Sequence, residues 1–358
     1  MDRFSPYKVL HNLDSVKRSI EDPATPPLHV QLDLSENCNH NCIFCFFRED
    51  AFNTGMRRKN IAKGVGRRSL KTDKLLTTIS ELGKLGTMAI TLVGGGEPMM
   101  HPHAERVLKA IITAGIAYGL ITNGSIRMNP IMLESLKAAT WIRVSLDAAT
   151  ETTYARMHQP KNPKKDNFQR TITNLKRLRE QCPDTDIGVS FLIHPYNYKE
   201  IAHCAALCKG IGLNYIQYKP VYTEERGEDV IPFLPEIKSQ IVRAQGLETH
   251  DFQVIALLAR LDDISKPARD YQYCRIHLLN TQIGVDGKVY PCCVLKYVEE
   301  YSFGSIYEQS FEEIWSGDQR RMVIERINPS TCPPCWYDRT NEVLEYLASP
   351  HDRHETFV

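Results

Sequence analysis

The sequence predicts an α/β fold, a partial (β/α)6 barrel followed by a small C-terminal domain of one β-hairpin and helix. Two observations carry this. Over residues 28–225 short apolar runs alternate with amphipathic helical stretches, and most of the eleven cysteines gather at the first turn of that alternation or beyond its C-terminal end. A parallel sheet, open or curled into a partial barrel, is the usual product of strand–helix units in series. The chain has 358 residues, 42% of them hydrophobic and 24% charged, with a formal net charge of +1. That is enough chain for one large domain and an appendage, and its charge balance argues against a nucleic-acid partner. No run approaches the ~20 apolar residues of a membrane span, and the N-terminal stretch mixes charges where a signal peptide has an apolar core. The expected setting is cytoplasmic. There, cysteines point to metal ligation or catalysis before structural disulfides.

The elements follow in order. Residues 1–27 form an N-terminal extension. Strand-like runs are His29–Leu34, Met88–Val93, Tyr118–Thr122, Trp141–Leu146, Ile187–Ile193 and Tyr215–Tyr218. Helical periodicity follows, as in Asp73–Leu85 and Asn167–Glu180. Thr223–Pro235 reads as the exit from the barrel, 226–272 as a helical linker, and 273–358 as the second domain. Cys204 and Cys208 share a helical face at i, i+4 and read as core packing. In such a barrel the chemistry gathers at the carboxyl ends of the strands.

The first strand runs into a loop with the pattern C-x3-C-x2-C, formed by Cys38, Cys42 and Cys45. Three thiolates suit a cubane iron–sulfur cluster with its fourth iron left open, since a saturated cluster takes four cysteines. The alternative is a zinc site with a distant fourth ligand, or three buried thiols. The second strand ends in Gly94-Gly95-Gly96-Glu97-Pro98. Its glycines let backbone approach a ligand closely, and Glu97 offers an anion for an ammonium group. The third strand ends in Thr122-Asn123-Gly124. In the fourth, period two sets Arg143, Ser145 and Asp147 opposite Ile142, Val144 and Leu146. In the sixth, Gln217 and Lys219 share the polar face and become candidate catalytic residues. Asp147 has a second reading, as the cap of the next helix.

The cysteine triplet, the GGGEP turn and the TNG turn, one per strand end and in this order, resemble the signature of the radical S-adenosylmethionine (AdoMet) superfamily, whose fold is a TIM-like partial barrel. The resemblance implies that Cys38, Cys42 and Cys45 ligate a [4Fe–4S] cluster and that Phe44 packs near adenine. It implies that Gly95, Gly96 and Glu97 receive the methionine ammonium, with Asn123, Ser145 and Asp147 near the polar groups of AdoMet. It also implies reductive cleavage of AdoMet to a 5′-deoxyadenosyl radical, fed by an external one-electron donor of flavodoxin or ferredoxin type.

The C-terminal cysteines form the second constellation. Cys274 is followed by a hairpin pattern turning at Asp286-Gly287, then Cys292, Cys293 and the C-x2-C of Cys332 and Cys335. This order resembles the twitch or SPASM-like extension, which implies a second [4Fe–4S] cluster on Cys274, Cys292, Cys332 and Cys335. Cys293, pointing the other way if it lies on a strand, is the alternative to Cys292, and structural zinc is the alternative metal. Arg57, Arg58, Lys59, Lys63, Arg67 and Arg68 make a basic stretch, read either as a solvated loop or as a lid for an anionic substrate. The expected substrate is a small polar metabolite such as a sugar, aminocyclitol or nucleoside, with the second cluster as electron conduit. Peptide maturation is the alternative, disfavoured because residues 1–27 are short for a peptide-recognition domain. A non-enzymatic iron–sulfur protein would have no use for the GGGEP pocket.

Overall fold

A computed structural model describes residues 3–45, 68–163, 167–220, 228–257, 269, 271–332 and 335–349. Seven parallel strands are laid down in chain order: β1 His29–Leu32, β2 Ala89–Leu92, β3 Ala117–Thr122, β4 Trp141–Ser145, β5 Asp186–Ile193, β6 Tyr215–Pro220 and β7 Gln253–Ala256. Between them run α2 Thr72–Lys84, α3 Ala104–Thr113, α4 Pro130–Leu136, α5 Glu151–His158, α6 Asn167–Gln181, α7 Ile201–Ile211 and α8 Leu234–Gln245, with α1 Leu13–Glu21 ahead of β1. Six of the strands are those the apolar runs predict, to within a few residues. The seventh was missed. The segment expected to be a helical linker holds α8 and also β7, which pairs in parallel with β6.

Register explains the two faces. Leu32, Leu92, Leu120, Ile142 and Ile187 lie in one row across β1–β5, and Val144, Val189, Ile216 and Val254 in another across β4–β7. These rows belong to one buried core with Leu75, Ile79, Val107, Leu108, Leu175 and Ala205 of the flanking helices. The opposite face carries Gln31, Thr91, Arg143, Ser145, Ser190, Gln217 and Lys219, so the lumen is polar. Its amino end is closed by side chains. Arg3 pairs with Asp186 (2.6 Å) and stands over the Tyr215 ring, while the Arg143 guanidinium lies over Phe4 and Trp141. The Trp141 and Tyr215 rings fill the space a side chain would need at Gly119 and Gly188. Among the described residues the amino end is thus the closed one.

The C-terminal part continues the same sheet. After α9 Ile276–Leu279, β8 Asn280–Ile283 pairs in parallel with β1, then β9 Lys288–Tyr290 and β10 Gly304–Ser305 add antiparallel neighbours. Gly287, at φ +78°, closes the predicted Asp-Gly turn, and its N–H donates to the Gly284 carbonyl. Three further helices follow: α10 Phe311–Ser316, α11 Asp318–Glu325 and α12 Asp338–Ala348. α1 packs with α9 and α12 through Val16, Ile276, Leu279 and Leu344, so the N-terminal extension shares its packing with the C-terminal part. Among the described residues no helix is long and apolar enough to cross a membrane.

Candidate active site

The Cys38–Cys45 loop leaves β1 and is gripped from three sides by backbone hydrogen bonds. On one side Glu36 N–H donates to the Arg68 carbonyl and Leu70 N–H to that of Leu34. On the second, the end of α5 holds it, with Asn41 N–H donating to His158 O (3.0 Å) and Ile43 N–H to Met157 O (3.0 Å). On the third lies the glycine turn after β2, where Gly96 N–H donates to Ser35 O (2.7 Å) and Glu97 N–H to Asn37 O (2.8 Å). A Cβ on Gly96 would stand 2.4 Å from the Asn37 carbonyl oxygen, so only glycine permits this approach. The sequence's two strongest motifs are thus in direct contact.

The three thiols are partly buried and electrostatically coupled. Burial pushes Cys38 up to about 11, and burial with the neighbouring Cys45 and Cys38 sulfurs holds Cys42 well above the ordinary thiol value. Deprotonated together, three such neighbouring sulfurs would repel one another and need a cation to hold them, and iron in a cluster supplies one. Cys42 Sγ also lies 3.3 Å from His158 Nδ1. His158 Nε2 donates to the Leu146 carbonyl (2.9 Å), and its ring stacks on Tyr154 at 4.4 Å. Nothing in the sequence pattern distinguishes His158; folding alone brings it under the loop.

The other expected AdoMet residues divide into two groups. Glu97 is buried, and its carboxylate accepts from Thr122 Oγ1 (2.6 Å), Asn123 N (2.7 Å) and Met99 N (3.1 Å). Burial raises its pKa and these donors oppose the rise. It thereby ties the GGGEP turn to the TNG turn. Asn123 Nδ2 reaches Asn39 Oδ1 (2.8 Å), so the third strand end also meets the cysteine loop. Gly95 lies against Glu36 and Tyr297, and Phe44 sets its ring edge-on to His158 at 5.4 Å. Ser145 Oγ is 3.4 Å from Ser190 Oγ on the lumen face. Asp147 is different. At φ +53° and buried, it accepts from Leu192 N (2.6 Å) and stands 3.3 Å from His158 Nε2, bracing the ends of β4 and β5. Nor does it cap the next helix, as its second reading had it; the cap of α5 is Thr150, whose hydroxyl accepts from Thr153 N–H.

Gln217 is buried on β6 and accepts from Arg143 Nη1 (3.2 Å). Lys219 Nζ stands 5.6 Å from the centre of the Trp336 ring. Next in sequence, Tyr337 accepts at its hydroxyl from Gln31 Nε2 on β1 (2.6 Å). The run Cys335-Trp336-Tyr337 therefore touches both β1 and β6.

Cys274, Cys292, Cys332 and Cys335, the four predicted ligands, line one pocket together with Tyr271, His277 and Asn341. Cys293 is not among the lining residues. The chain around both cysteines is a turn beyond β9, so the expected strand alternation does not decide between them. Burial raises the Cys292 and Cys335 thiols and takes Cys274 up to about 11. Among the described residues no three such groups converge on a single metal ion, whereas a cubane takes its cysteines on separate irons. The thiol sets at both places fit iron–sulfur clusters. Cys204 and Cys208 are buried in the main core, as their helical placement suggested, and so is Cys182. Of the basic stretch, Arg57, Arg58, Lys59, Lys63 and Arg67 lie outside the described residues; Arg68 pairs with Glu36 at 2.6 Å.

Comparison with known proteins agrees with this geometry. Residues 32–208 match the model of the radical SAM superfamily, and residues 274–336 that of the SPASM iron–sulfur cluster-binding domain. An AdoMet-dependent heme synthase of Methanosarcina barkeri is 24% identical, over 87% of this chain and 89% of that protein. The antilisterial bacteriocin subtilosin biosynthesis protein AlbA of Bacillus subtilis is 20% identical, over 87% of this chain and 65% of its own. Streptococcus suis SuiB, solved with its precursor peptide SuiA, shares the fold with a TM-score of 0.63 at 16% identity, covering 91% of this chain and 73% of that one. This architecture carries AdoMet and one or more [4Fe–4S] clusters. The chain belongs to the radical SAM superfamily, as an AdoMet-cleaving enzyme whose catalytic domain is followed by an auxiliary iron–sulfur domain of the SPASM type.

Proposed function

We propose that this chain matures a peptide, abstracting hydrogen from one of its C–H bonds, with [4Fe–4S] clusters on Cys38, Cys42 and Cys45 and on Cys274, Cys292, Cys332 and Cys335. The likeness to a bacteriocin biosynthesis protein over 87% of the chain carries the substrate class. The fold of SuiB, solved bound to its precursor peptide, supports it. A small polar metabolite, the substrate first expected, is the second reading. It is favoured by the heme synthase, which matches over most of both chains, and by Lys219, a cation at the carboxyl end of β6.

The core cluster with its open iron would supply the electron that splits AdoMet into methionine and a 5′-deoxyadenosyl radical. A fully ligated second cluster would supply an electron acceptor for completing a two-electron oxidation. The chain's own residues do the rest. Gly95 and Gly96 offer backbone to the methionine end of AdoMet, while Glu97 holds that turn to Asn123 and adds negative charge beside it. Ser145, Ser190 and Gln217 give the lumen neutral hydrogen-bonding groups, and Lys219 beside Trp336 binds an acidic or carbonyl group of the substrate. Arg3, Phe4 and Trp141 shut the amino end, which keeps water from the radical. A flavodoxin- or ferredoxin-type donor delivers the electron.

The test is product mass. Reconstituted protein is incubated anaerobically with AdoMet, reductant and either candidate precursor peptides or carboxylated metabolites. A peptide that loses two hydrogens in an AdoMet-dependent way supports the first reading; turnover of the metabolites alone replaces it with the second.

A further inference from the structure

The auxiliary domain reaches into the core at a place that belongs to none of the cysteine or glycine motifs. Lys296 and Tyr297, on the turn after Cys292, both bind Asp33, which follows β1 and precedes the cysteine loop. Lys296 Nζ donates to Asp33 Oδ2 at 2.8 Å, and the Tyr297 hydroxyl donates to the same oxygen at 2.7 Å. Asp33 is 0% and Lys296 4% exposed, so the pair is a buried one whose partners depend on each other. Tyr297 holds φ at +65°, a left-handed backbone that costs a non-glycine residue about 1–3 kcal/mol and persists where its surroundings over-determine it. Its hydroxyl oxygen also accepts from Val285 N–H (3.3 Å).

That hydroxyl faces the glycine turn. A Cβ built on Gly95 would stand 3.5 Å from the Tyr297 oxygen and 3.6 Å from a methyl of Val285, so two auxiliary-domain residues form the wall behind Gly95. In the same turn, Gly96 N–H is bonded to the carbonyl of Ser35, two residues beyond Asp33. The Lys296–Tyr297 turn thus holds one edge of the cysteine loop and the back of the glycine turn at once.

We propose that Lys296 and Tyr297 are positioning residues for AdoMet: by gripping Asp33 and backing Gly95 they fix the glycine turn against the cysteine loop, so the auxiliary domain sets the core's affinity for its cosubstrate. The inference rests on the reading that Gly94–Glu97 receives AdoMet. Removing the hydroxyl leaves the Asp33–Lys296 pair in place, frees the back of Gly95 and strands the Val285 N–H. Removing the lysine charge leaves Asp33 buried without its counter-ion, a harsher change that endangers the fold. Tyr297→Phe is therefore the informative variant.

The experiment measures AdoMet binding by equilibrium dialysis to the reconstituted protein with its clusters oxidised, so that nothing is cleaved. Tyr297→Phe raises the Kd about tenfold, the worth of one hydrogen bond, while iron and sulfide content stay at wild-type values. Tyr290→Phe is the control. Its hydroxyl donates to Asp286 within the same hairpin (2.7 Å), and its loss leaves the Kd unchanged. Equal affinities in wild type and Tyr297→Phe overturn the proposal, and so does an equal loss in both variants, which would mean general loosening of the domain. If the wild type bound AdoMet but Glu97→Ala and Gly96→Ala left its affinity unchanged, the assignment of the glycine turn would fall and take this inference with it.

Discussion

Around Cys38, Cys42 and Cys45 the loop is held by main-chain hydrogen bonds to three separate segments, and one side of the thiol set faces a glycine turn. Around Cys274, Cys292, Cys332 and Cys335 the holding groups are side chains. Asp338 accepts from Arg269 Nε (2.6 Å), Tyr271 Oη (2.6 Å) and Cys335 N (3.1 Å), and Asn341 accepts from the N–H groups of Arg275 and Ile276. The difference suits the occupants proposed for the two sites. A cluster that must present an open iron to AdoMet needs ligands whose placement relative to the AdoMet turn is fixed by backbone. A saturated cluster needs only four sulfurs around a pocket, and a side-chain network suffices to bring together cysteines far apart in sequence.

The widest separation between the sites comes from removing the first. Cys38→Ala/Cys42→Ala/Cys45→Ala should take reconstituted iron from about eight to about four atoms per chain, four per cubane, and abolish AdoMet cleavage. Iron assay and 5′-deoxyadenosine analysis check it. Zinc without acid-labile sulfide in the wild type would break the comparison altogether. Asp338→Ala is the converse. Taking away one partner of the partly buried Arg269 pair should cost about 3 kcal/mol and release the second cluster, leaving about four irons. Product should vanish while some 5′-deoxyadenosine still forms. Full iron in this variant would show that the cysteines alone order the pocket.

A smaller effect is expected from Gly96→Ala. The new methyl meets the Asn37 and Glu36 carbonyl oxygens at 2.4 and 2.6 Å, and relieving that overlap should cost about 1–3 kcal/mol. The glycine turn moves off the cysteine loop, so AdoMet affinity should fall while iron content holds. Unchanged affinity by titration would mean that the turn's closeness to the loop is packing alone.

Much of the core was legible because its signals are local. The runs Met88–Val93 and Trp141–Leu146 contain their strands, and motifs at successive strand ends become neighbours in any parallel barrel. What was not legible depends on pairing across long stretches of chain. Gln253–Ala256 has too little alternation to announce β7, and nothing in Asn280–Ile283 says that it will lie beside β1, far away in sequence. For the same reason Lys296, Tyr297 and Asp33 went unnoticed, since a buried ion pair leaves no periodic mark in either segment. Asp147 shows the opposite error. Strand alternation set it on the polar face, but it lies beyond the end of β4, and its left-handed backbone turns the carboxylate toward Leu192 N–H and His158.

The smallest expected effect concerns two adjacent cysteines. Strand alternation would have set Cys292 and Cys293 on opposite faces, but β9 ends at Tyr290 and both lie in the turn that follows. Cys292, 7% exposed, lines the pocket with Cys274, Cys332 and Cys335, whereas Cys293 does not. The two sulfurs are near enough that a charge on Cys293 raises the Cys292 thiol further, after the larger effect of burial. Cys293→Ser should therefore leave iron content and product yield at wild-type levels, because the serine keeps the size of the side chain and removes no ligand. Cys292→Ser should lose the second cluster. The triple variant without the core cysteines makes the reading clean, since its remaining four irons all belong to this pocket. Loss of iron from Cys293→Ser with retention in Cys292→Ser would exchange the two ligands. Partial loss from both would mean that either sulfur can close the set, and the contrast between a backbone-fixed and a side-chain-held site would then extend to ligand choice itself.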